Sequence, residues 1–482
     1  MTVQPSREES GVRVNVLLIN PPSPFLLDDR VFPPLGVLQV AAALEAEGHA
    51  VHVADLAGLA DPWSALKPVV EEGWDVYGFT ATTPQFPVTV GLAQKVREHD
   101  PGKKIIIGGP HATVQPDSCG DFDTTVLGDG EAAILEAIQP GSPARIDAAS
   151  ATKKGLLDWK WPARHLIDMA SYQYRLAGRL GTSAVWSMGC PYGCNFCCGR
   201  LVPYYRRVRS REVADVVREM SHLGERYGIG AITAFDDEVN LLNEPLIDIC
   251  NGLAPLGMNF RAFIKSNLFN DRQAEAMAKA GFVQVCTGIE SGSDRILGVM
   301  QKQTSFEINL RARELARKHG LQFKAFCSVG HVGETYEDAQ ETKRWLLTAK
   351  PDDFDVTVIT VYPGTPIYNY REYVGDKDGH RVCKYVYKSK RPEENGATLF
   401  FEEIDYAKEF AFYKGRPKEY VSHVWTPDLS KEDLGRVRDE IEDEVRVKLG
   451  IPYPKRYSGD HLDTVAPSLE HSMGQGASPQ NA

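Results

Sequence analysis

The chain has 482 residues, too many for one hydrophobic core, so two or three domains are expected. Apolar residues make up 43% and charged residues 25%, an ordinary globular composition, and the formal charge of −11 argues against a nucleic-acid surface, which calls for a basic domain or stripe. No apolar run reaches spanning length, residues 1–11 are polar without a signal-peptide core, and six of the nine cysteines are scattered; a reducing, cytoplasmic setting without a membrane span is expected.

Residues 12–20 read as a buried parallel strand ending in the turn Pro21-Pro22-Ser23-Pro24. A helix over 35–48, stopped by Gly48, leads to a strand at 50–54; then follow a strand at 76–81, a helix at 86–98, and strands at 104–107 and 124–127. This alternation predicts a doubly wound, Rossmann-like parallel sheet over residues 12–140 with its ligand beyond the carboxyl ends of the strands. Those ends carry Ser23, Phe25, Thr80, Thr82, Thr83, Gly108, Gly109, His111, Gly128, Gly130 and Glu131, with Leu35 and Gly36 opening the first helix. Glycines there let a large ligand approach the backbone. The absence of G-x-G-x-x-G after the first strand counts against a dinucleotide site.

Residues 141–181 read as a linker, small and polar at first, then carrying Trp161-Pro-Ala-Arg-His165. After an apolar strand at 182–186 comes Ser187-Met-Gly-Cys-Pro-Tyr-Gly-Cys-Asn-Phe-Cys197, which sets Cys190, Cys194 and Cys197 at C-x3-C-x2-C spacing in a Gly/Pro loop. Structural zinc wants four ligands and usually a second C-x2-C or His pair, which is absent here. Three thiolates can instead face one cluster and leave a position open; the competing reading is a run of buried core cysteines. Cys198 breaks the spacing and is read as a non-ligand.

Helices at 211–227, 241–256, 272–280, 307–319 and 336–348 alternate with strands at 231–235, 259–264, 283–289, 322–329 and 356–362. With 182–186 that makes six strands, a partial (β/α)6 TIM-like barrel over 182–380 with its site at the carboxyl ends. Three acidic or glycine-rich stretches fall there: Asp236-Asp-Glu238, Gly288-Ile-Glu-Ser-Gly292 and Gly330-His-Val-Gly-Glu-Thr335. Residues 381–464 are expected to form a small α-rich region over the substrate mouth, with a short strand at 398–404, a helix near 406–413 and an amphipathic helix at 431–449; residues 465–482 have a disordered composition.

The cysteine loop, with Phe196 before its last cysteine, resembles the signature of the radical S-adenosylmethionine (SAM) enzymes, and the three strand-end stretches and Tyr362-Pro-Gly-Thr-Pro-Ile-Tyr368 follow in that family's order. Pro33-Pro-Leu-Gly36, Thr80-Ala-Thr-Thr-Pro84, Gly108-Gly-Pro-His-Ala-Thr113 and Gly128-Asp-Gly-Glu131 are similar to the cobalamin-binding domain that precedes the barrel in one large class of these enzymes. The resemblance implies a 4Fe–4S cluster on Cys190, Cys194 and Cys197, with SAM on the open iron. It places Phe196 and the Gly330 turn near adenine, Asp236, Asp237 and Glu238 at the SAM amino group, and Glu290 at the ribose. Cobalamin would lie on the thirteen N-terminal residues named above. Asn20-Pro-Pro-Ser-Pro-Phe25 lacks Asp-x-His-x-x-Gly, so no protein histidine is expected below cobalt, and His111 is read as a nucleotide-tail contact or as packing. His331 and Val332 replace the commoner Leu-Pro, which leaves His331 as a substrate-specific candidate.

The implied activity is methylation of an unactivated carbon of a small molecule through a 5′-deoxyadenosyl radical and methylcobalamin, with an external electron donor of flavodoxin or ferredoxin type. The alternatives keep both cofactors for ring formation, rearrangement or heteroatom group transfer, or keep an empty flavodoxin-like domain as a platform. A non-catalytic iron–sulfur protein would need no SAM contacts.

Overall fold

The computed structural model describes residues 13–26, 28–148, 159–392, 394–409 and 419–453. The N-terminal part runs β1 (Asn15–Asn20), α1 (Leu35–Ala46), β2 (Ala50–Asp55), α2 (Pro62–Val70), β3 (Val76–Thr80), α3 (Phe86–His99), β4 (Lys104–Gly108), α4 (Gly109–Val114), β5 (Thr124–Leu127), α5 (Gly130–Ala137) and β6 (Arg145–Asp147). All six strands are parallel, in the order β2-β1-β3-β4-β5-β6. Alternation along β1 sends Val16 and Leu18 into a core with Val37 and Leu38 of α1 and Ile134 of α5, and sends Leu17 and Ile19 into a second core with Leu66 of α2 and Leu92 of α3. Each such side chain stabilises the fold by about 1.5–3 kcal/mol. Chain direction across the sheet reverses between β1 and β3, where the carboxyl ends open a crevice. The sheet continues into the stretch read as linker, since β6 pairs with β5; residues 149–158 of that stretch lie outside the described residues.

The connector that follows is tied to both sides. Ala163 N donates to Leu38 O (2.9 Å) and Tyr172 OH to Asp55 Oδ2 (2.6 Å), while Arg164 reaches Glu219 Oε1 (2.7 Å) and the Ser183 carbonyl (3.0 Å). Glu219 lies on α6, in the barrel described next.

The barrel begins with β7 (Arg175–Leu176), antiparallel to β8 (Arg179–Ala184). The ribbon β9 (Ser187–Met188) and β10 (Arg209–Ser210) brackets the cysteine loop. Then come α6 (Val213–Tyr227), β11 (Ala231–Ala234), α7 (Asn243–Leu253), β12 (Asn259–Phe263), α8 (Asp271–Ala280), β13 (Phe282–Glu290), α9 (Asp294–Val299), α10 (Phe306–Lys318), β14 (Gln322–Val329), α11 (Tyr336–Ala349) and β15 (Asp353–Val358). The sheet order β7-β8-β11-β12-β13-β14-β15 contains the six parallel strands expected, β8 onward. Phe260 and Ala262 of β12 join the core under the helices with Met220, Leu246 and Met277, so Arg261 and Phe263 face the concave side.

After α12 (Pro366–Asn369) the C-terminal region is not simply α-rich: β16 (Glu372–Lys377), β17 (His380–Val386), β18 (Thr398–Glu402) and β19 (Val424–Trp425) form an antiparallel sheet. The missed signal is Asp378-Gly379. Both residues have positive φ (51° and 85°) between paired Lys377 and His380, a tight hairpin turn that Asp-Gly favours. Of the helix expected at 406–413, residues 406–409 are turn and coil and the rest lie outside the described residues. Helix α13 (Lys431–Leu449) matches its expected span and covers the edge of β15: Glu442 accepts from Val356 N (2.8 Å) and Arg438 donates to Val356 O (2.9 Å).

Candidate functional site

The crevice of the N-terminal sheet opens a cavity of about 290 Å³ between the sheet and helices α1 and α5. Seven of the thirteen expected cobalamin residues line it: Gly36, Thr80, Gly108, Gly109, Gly128, Gly130 and Glu131. Backbone conformation makes glycine necessary at 109, where φ is +90° and a Cβ would press on Thr80 Oγ1. The other six, Ser23, Phe25, Leu35, Thr82, Thr83 and His111, do not line it. Ser23 Oγ accepts from Gln85 Nε2 (2.8 Å), Thr82 caps the following turn with Gln85, and Thr83 Oγ1 lies 3.2 Å from His111 Nδ1. His111 is buried against the Phe86 ring (3.9 Å between centroids), also reaches Ser118 Oγ (2.9 Å), and is held neutral by burial, its pKa down to about 4.

Sequence reading missed Gln39. It sits in the apolar run of α1, buried on the cavity wall, and its Nε2 has no hydrogen-bond partner. Such an orphan costs about 1–3 kcal/mol, which a ligand acceptor in the cavity would return. A lone amide between Leu38 and Val40 was the available signal. Glycine-lined, largely apolar walls and one unspent side-chain donor fit a large flat group such as the base of a corrinoid's nucleotide tail.

Two barrel residues complete the cavity, Met188 and Tyr205. Tyr205 also accepts Cys190 N at its carbonyl (2.7 Å), so one residue touches both the cavity and the cysteine loop. The segment around it is anchored on the N-terminal loops by Arg209 to Asp129 and by Tyr204 OH to Asp147. Gly189 turns the loop at φ +94°, where a Cβ would collide with the Arg207 carbonyl.

The loop presents Cys190 half-buried, Cys194 buried and Cys197 at the exposed rim, beside Cys198. Among the described residues no three His, Cys, Asp or Glu groups converge on a single metal ion. Burial raises the Cys194 thiol, while Lys302 and Lys265 pull it back towards the thiolate. Lys265 Nζ stands 4.0 Å from the Tyr192 ring centroid and donates to the Lys302 carbonyl (2.9 Å). Neither lysine lies in a motif, so the sequence offered no sign of them.

Asp236 is fully committed: it accepts from Trp186 N (2.8 Å) and Ser187 Oγ (2.5 Å), and burial raises its pKa to about 6. It braces the strand that feeds the loop. Asp237 accepts from Gly189 N (2.7 Å), and Glu238 has its pKa raised to about 7 by burial, which outweighs the pull of Lys302 and Lys265. Asp237 and Glu238 thus keep acceptor capacity that Asp236 has spent. Glu290, strained at φ +63°, accepts from Lys302 Nζ (3.0 Å) and Ser328 Oγ (2.9 Å); burial pushes its pKa up, but these partners more than offset it.

Because Ser328 spends its proton on Glu290, the contact from His331 Nε2 to Ser328 Oγ (2.8 Å) makes Nε2 the donor, leaving Nδ1 a bare, buried acceptor without a partner. The Phe196 ring meets His331 edge-on (5.5 Å). Gly330 turns at φ +86° against Val358, Val424 and Leu434, and Glu334 Oε2 accepts from its N–H and from that of His331. Unspent polar atoms at His331 and Glu334, charged groups at Glu238 and Lys265, and the face of Phe196 make a donor set suited to a zwitterionic nucleoside such as SAM.

Two family models match the chain, the B12 binding domain over residues 29–138 and the Radical SAM superfamily over residues 185–346. The chain is thus a radical SAM enzyme of the class with an N-terminal B12-binding domain. It is 29% identical over 390 residues to an uncharacterized methyltransferase of Pyrococcus horikoshii, covering 74% of this chain and 83% of the relative. It is 24% identical over 344 residues to the anaerobic magnesium-protoporphyrin IX monomethyl ester cyclase of Rubrivivax gelatinosus, 65% of this chain and 60% of that relative. Its fold is similar to that of the radical SAM methyltransferase TsrM from Kitasatospora setae, solved with cobalamin and a 4Fe–4S cluster bound, with a TM-score of 0.62 at 18% identity over 74% of this chain and 77% of that one. Among the described residues, no helix is long and apolar enough to cross a membrane.

Proposed function

We propose that this enzyme is a cobalamin-dependent methyltransferase that methylates an unactivated carbon of a small molecule. The observation that carries this reading is Tyr205, whose side chain lines the N-terminal cavity while its carbonyl holds the amide of Cys190. A carbon radical must meet its methyl donor before water does, and one shared segment keeps the two sites adjacent. When bound, SAM on the cluster supplies a 5′-deoxyadenosyl radical and cobalamin a transferable methyl group.

The residues of the chain bind and orient. Cys190, Cys194 and Cys197 hold the cluster, Lys265 and Lys302 offset its negative charge, and Asp237 and Glu238 take the SAM ammonium. Glu290, fixed by Lys302 and Ser328, orients the ribose, and Phe196 with His331 frames the adenine. Gly36, Gly108, Gly109, Gly128, Gly130 and Gln39 cradle the corrinoid tail. Electrons come from an external flavodoxin- or ferredoxin-type donor, and a cytoplasmic, reducing setting keeps the free cysteines available.

The test is anaerobic reconstitution with iron, sulfide and hydroxocobalamin, followed by a spectrum and by mass analysis after adding SAM and reductant. Corrin bands with both 5′-deoxyadenosine and S-adenosylhomocysteine are the expected result. Corrin with 5′-deoxyadenosine alone would move the assignment to ring formation, rearrangement or heteroatom transfer, and no corrin would reduce the N-terminal domain to a platform.

A further inference from the structure

Among the described residues, one guanidinium on the concave face of the barrel, that of Arg261, has no carboxylate partner. Arg164, Arg209, Arg211 and Arg446, all buried, each face a carboxylate: Glu219, Asp129, Asp215 with Glu219, and Glu442. Lys324, two strands from Arg261 on the same face, is neutralised by Asp353 (2.6 Å) and Asp355 (3.1 Å). Arg261 has only Cys286 Sγ (3.1 Å) and the Tyr174 hydroxyl, and no carboxylate of the described residues lies within 4.0 Å. A recessed guanidinium keeps its charge at any working pH, so leaving it unpaired is costly unless a ligand pairs it.

Its surroundings are aromatic. The guanidinium stands 5.7 Å from the centroid of Phe263, which stacks on Phe326 (5.9 Å), and Phe32, reaching over from the N-terminal loop, packs on Tyr174 (4.5 Å) and Phe235 (4.7 Å). The face then leads to the SAM end. Phe263 pairs with Cys286; from there β13 runs through Gly288 and a bulge to Glu290 while its partner β14 advances three residues, from Lys324 to Cys327, a rise of roughly 10 Å from the Arg261 contact to Glu290.

We infer that the substrate is an anion: a small molecule with a carboxylate or phosphate head held by Arg261 and an apolar, ring-contacting body about 10 Å long that presents its far end beside Glu290. This rests on the methyl-transfer reading for the location of the reacting end, but the anion site stands on geometry alone. A flat or aliphatic body packs between Phe263, Phe326 and Phe235, and the guanidinium fixes which end points inward.

The test uses the reconstituted holoenzyme with 4-phenylbutanoate, 4-phenylbutanamide and 4-phenylbutyl phosphate as probes, titrated calorimetrically. At least one anion should bind wild type about tenfold or more tightly than the amide, and which one does so distinguishes a carboxylate from a phosphate head. In Arg261→Gln the preference should fall within about twofold, and in Arg261→Lys part of it should remain. Equal binding of anions and amide to wild type, no binding of any anion, or a preference that survives Arg261→Gln would overturn the inference. Loss of hydroxocobalamin affinity in Arg261→Gln would overturn it too, by giving the guanidinium to the cofactor. If that variant fails to fold, the wild-type comparison still decides. Absence of S-adenosylhomocysteine would sink methyl transfer while leaving the anion preference intact.

Discussion

The N-terminal cavity and the barrel mouth both lie at the carboxyl ends of parallel strands, yet their linings differ in kind. The cavity is walled by Leu18, Val40, Ile106, Val126 and a set of glycines, with Gln39 offering one unspent donor. The mouth gathers Lys265, Lys302, Asp237, Glu238 and Glu290 around the cysteines. A wall of that first kind selects by volume, because close-packed apolar surfaces resist added atoms more than they notice a changed charge. A cluster of the second kind selects by charge balance, where removing one partner strands the other.

The largest effects separate the two directly. A Cβ at Gly36 meets nothing within 4 Å, and Gly36 lies on the cavity wall, so Gly36→Phe should fold normally and fill the space meant for the ligand. It is expected to lose hydroxocobalamin binding by spectral titration while keeping the cluster absorbance. Cys194→Ala should do the reverse, abolishing the cluster bands and 5′-deoxyadenosine with corrin affinity retained. Loss of both signals in either variant would mean that the two linings are one cooperative site.

Next in size is the ion pair in the mouth. Lys302→Met leaves Glu290 buried opposite Ser328 alone and should cost about 3 kcal/mol of stability, with SAM affinity falling at least tenfold by equilibrium dialysis. Adding Glu290→Gln should recover most of the stability and none of the affinity. A double variant no more stable than Lys302→Met would mean that the pair does not act as charge against charge.

Legibility in the sequence followed the same division. A strand buried on both faces was read almost to the residue, as with β4, because the run Ile105-Ile106-Ile107 leaves little choice. Helices α4 and α5 were missed because they open on Gly109 and Gly130, residues that read as turn, and α2 contains Pro68. β6 has one buried side chain, Ile146, between an exposed Arg and Asp, and so shows no pattern. The cysteine loop stood out because its three thiols lie close together in the sequence, within a Gly/Pro-rich stretch. Lys265 and Lys302 come together, and Arg261 meets Cys286, only through strand pairing and loop packing, which no local spacing encodes. Asp236 was legible as acidic but not as spent on Trp186 and Ser187.

A smaller effect should show in pH. Burial pushes the Glu334 carboxyl up to about 8 from an unfolded value of 4.5, so between those limits it holds a proton in the folded protein and has lost it in the unfolded chain. Stability should therefore fall as pH rises from about 4.5 to 8, by a few kcal/mol at most, and Glu334→Gln should flatten that fall. Denaturation midpoints across the range check it; an equal slope in the variant would assign the fall to other groups.

The smallest expected effect bears on the unpartnered amide nitrogen of Gln39 in the cavity wall and has opposite signs with and without ligand. In the free protein Gln39 Nε2 is buried without a partner, so Gln39→Leu, close in volume, should raise stability by about 1 kcal/mol. In the cobalamin complex the same change removes a donor that the ligand would satisfy, so corrin affinity should fall about three- to tenfold. Thermal melts of the variant with and without hydroxocobalamin read both signs in one experiment. If Gln39→Leu stabilises the free protein and leaves affinity unchanged, the donor is a packing flaw and the cavity selects by volume alone. If affinity falls as expected, shape admits the ligand and one hydrogen bond fixes its depth, which is a smaller reliance on polarity than the barrel mouth shows at any of its charged residues.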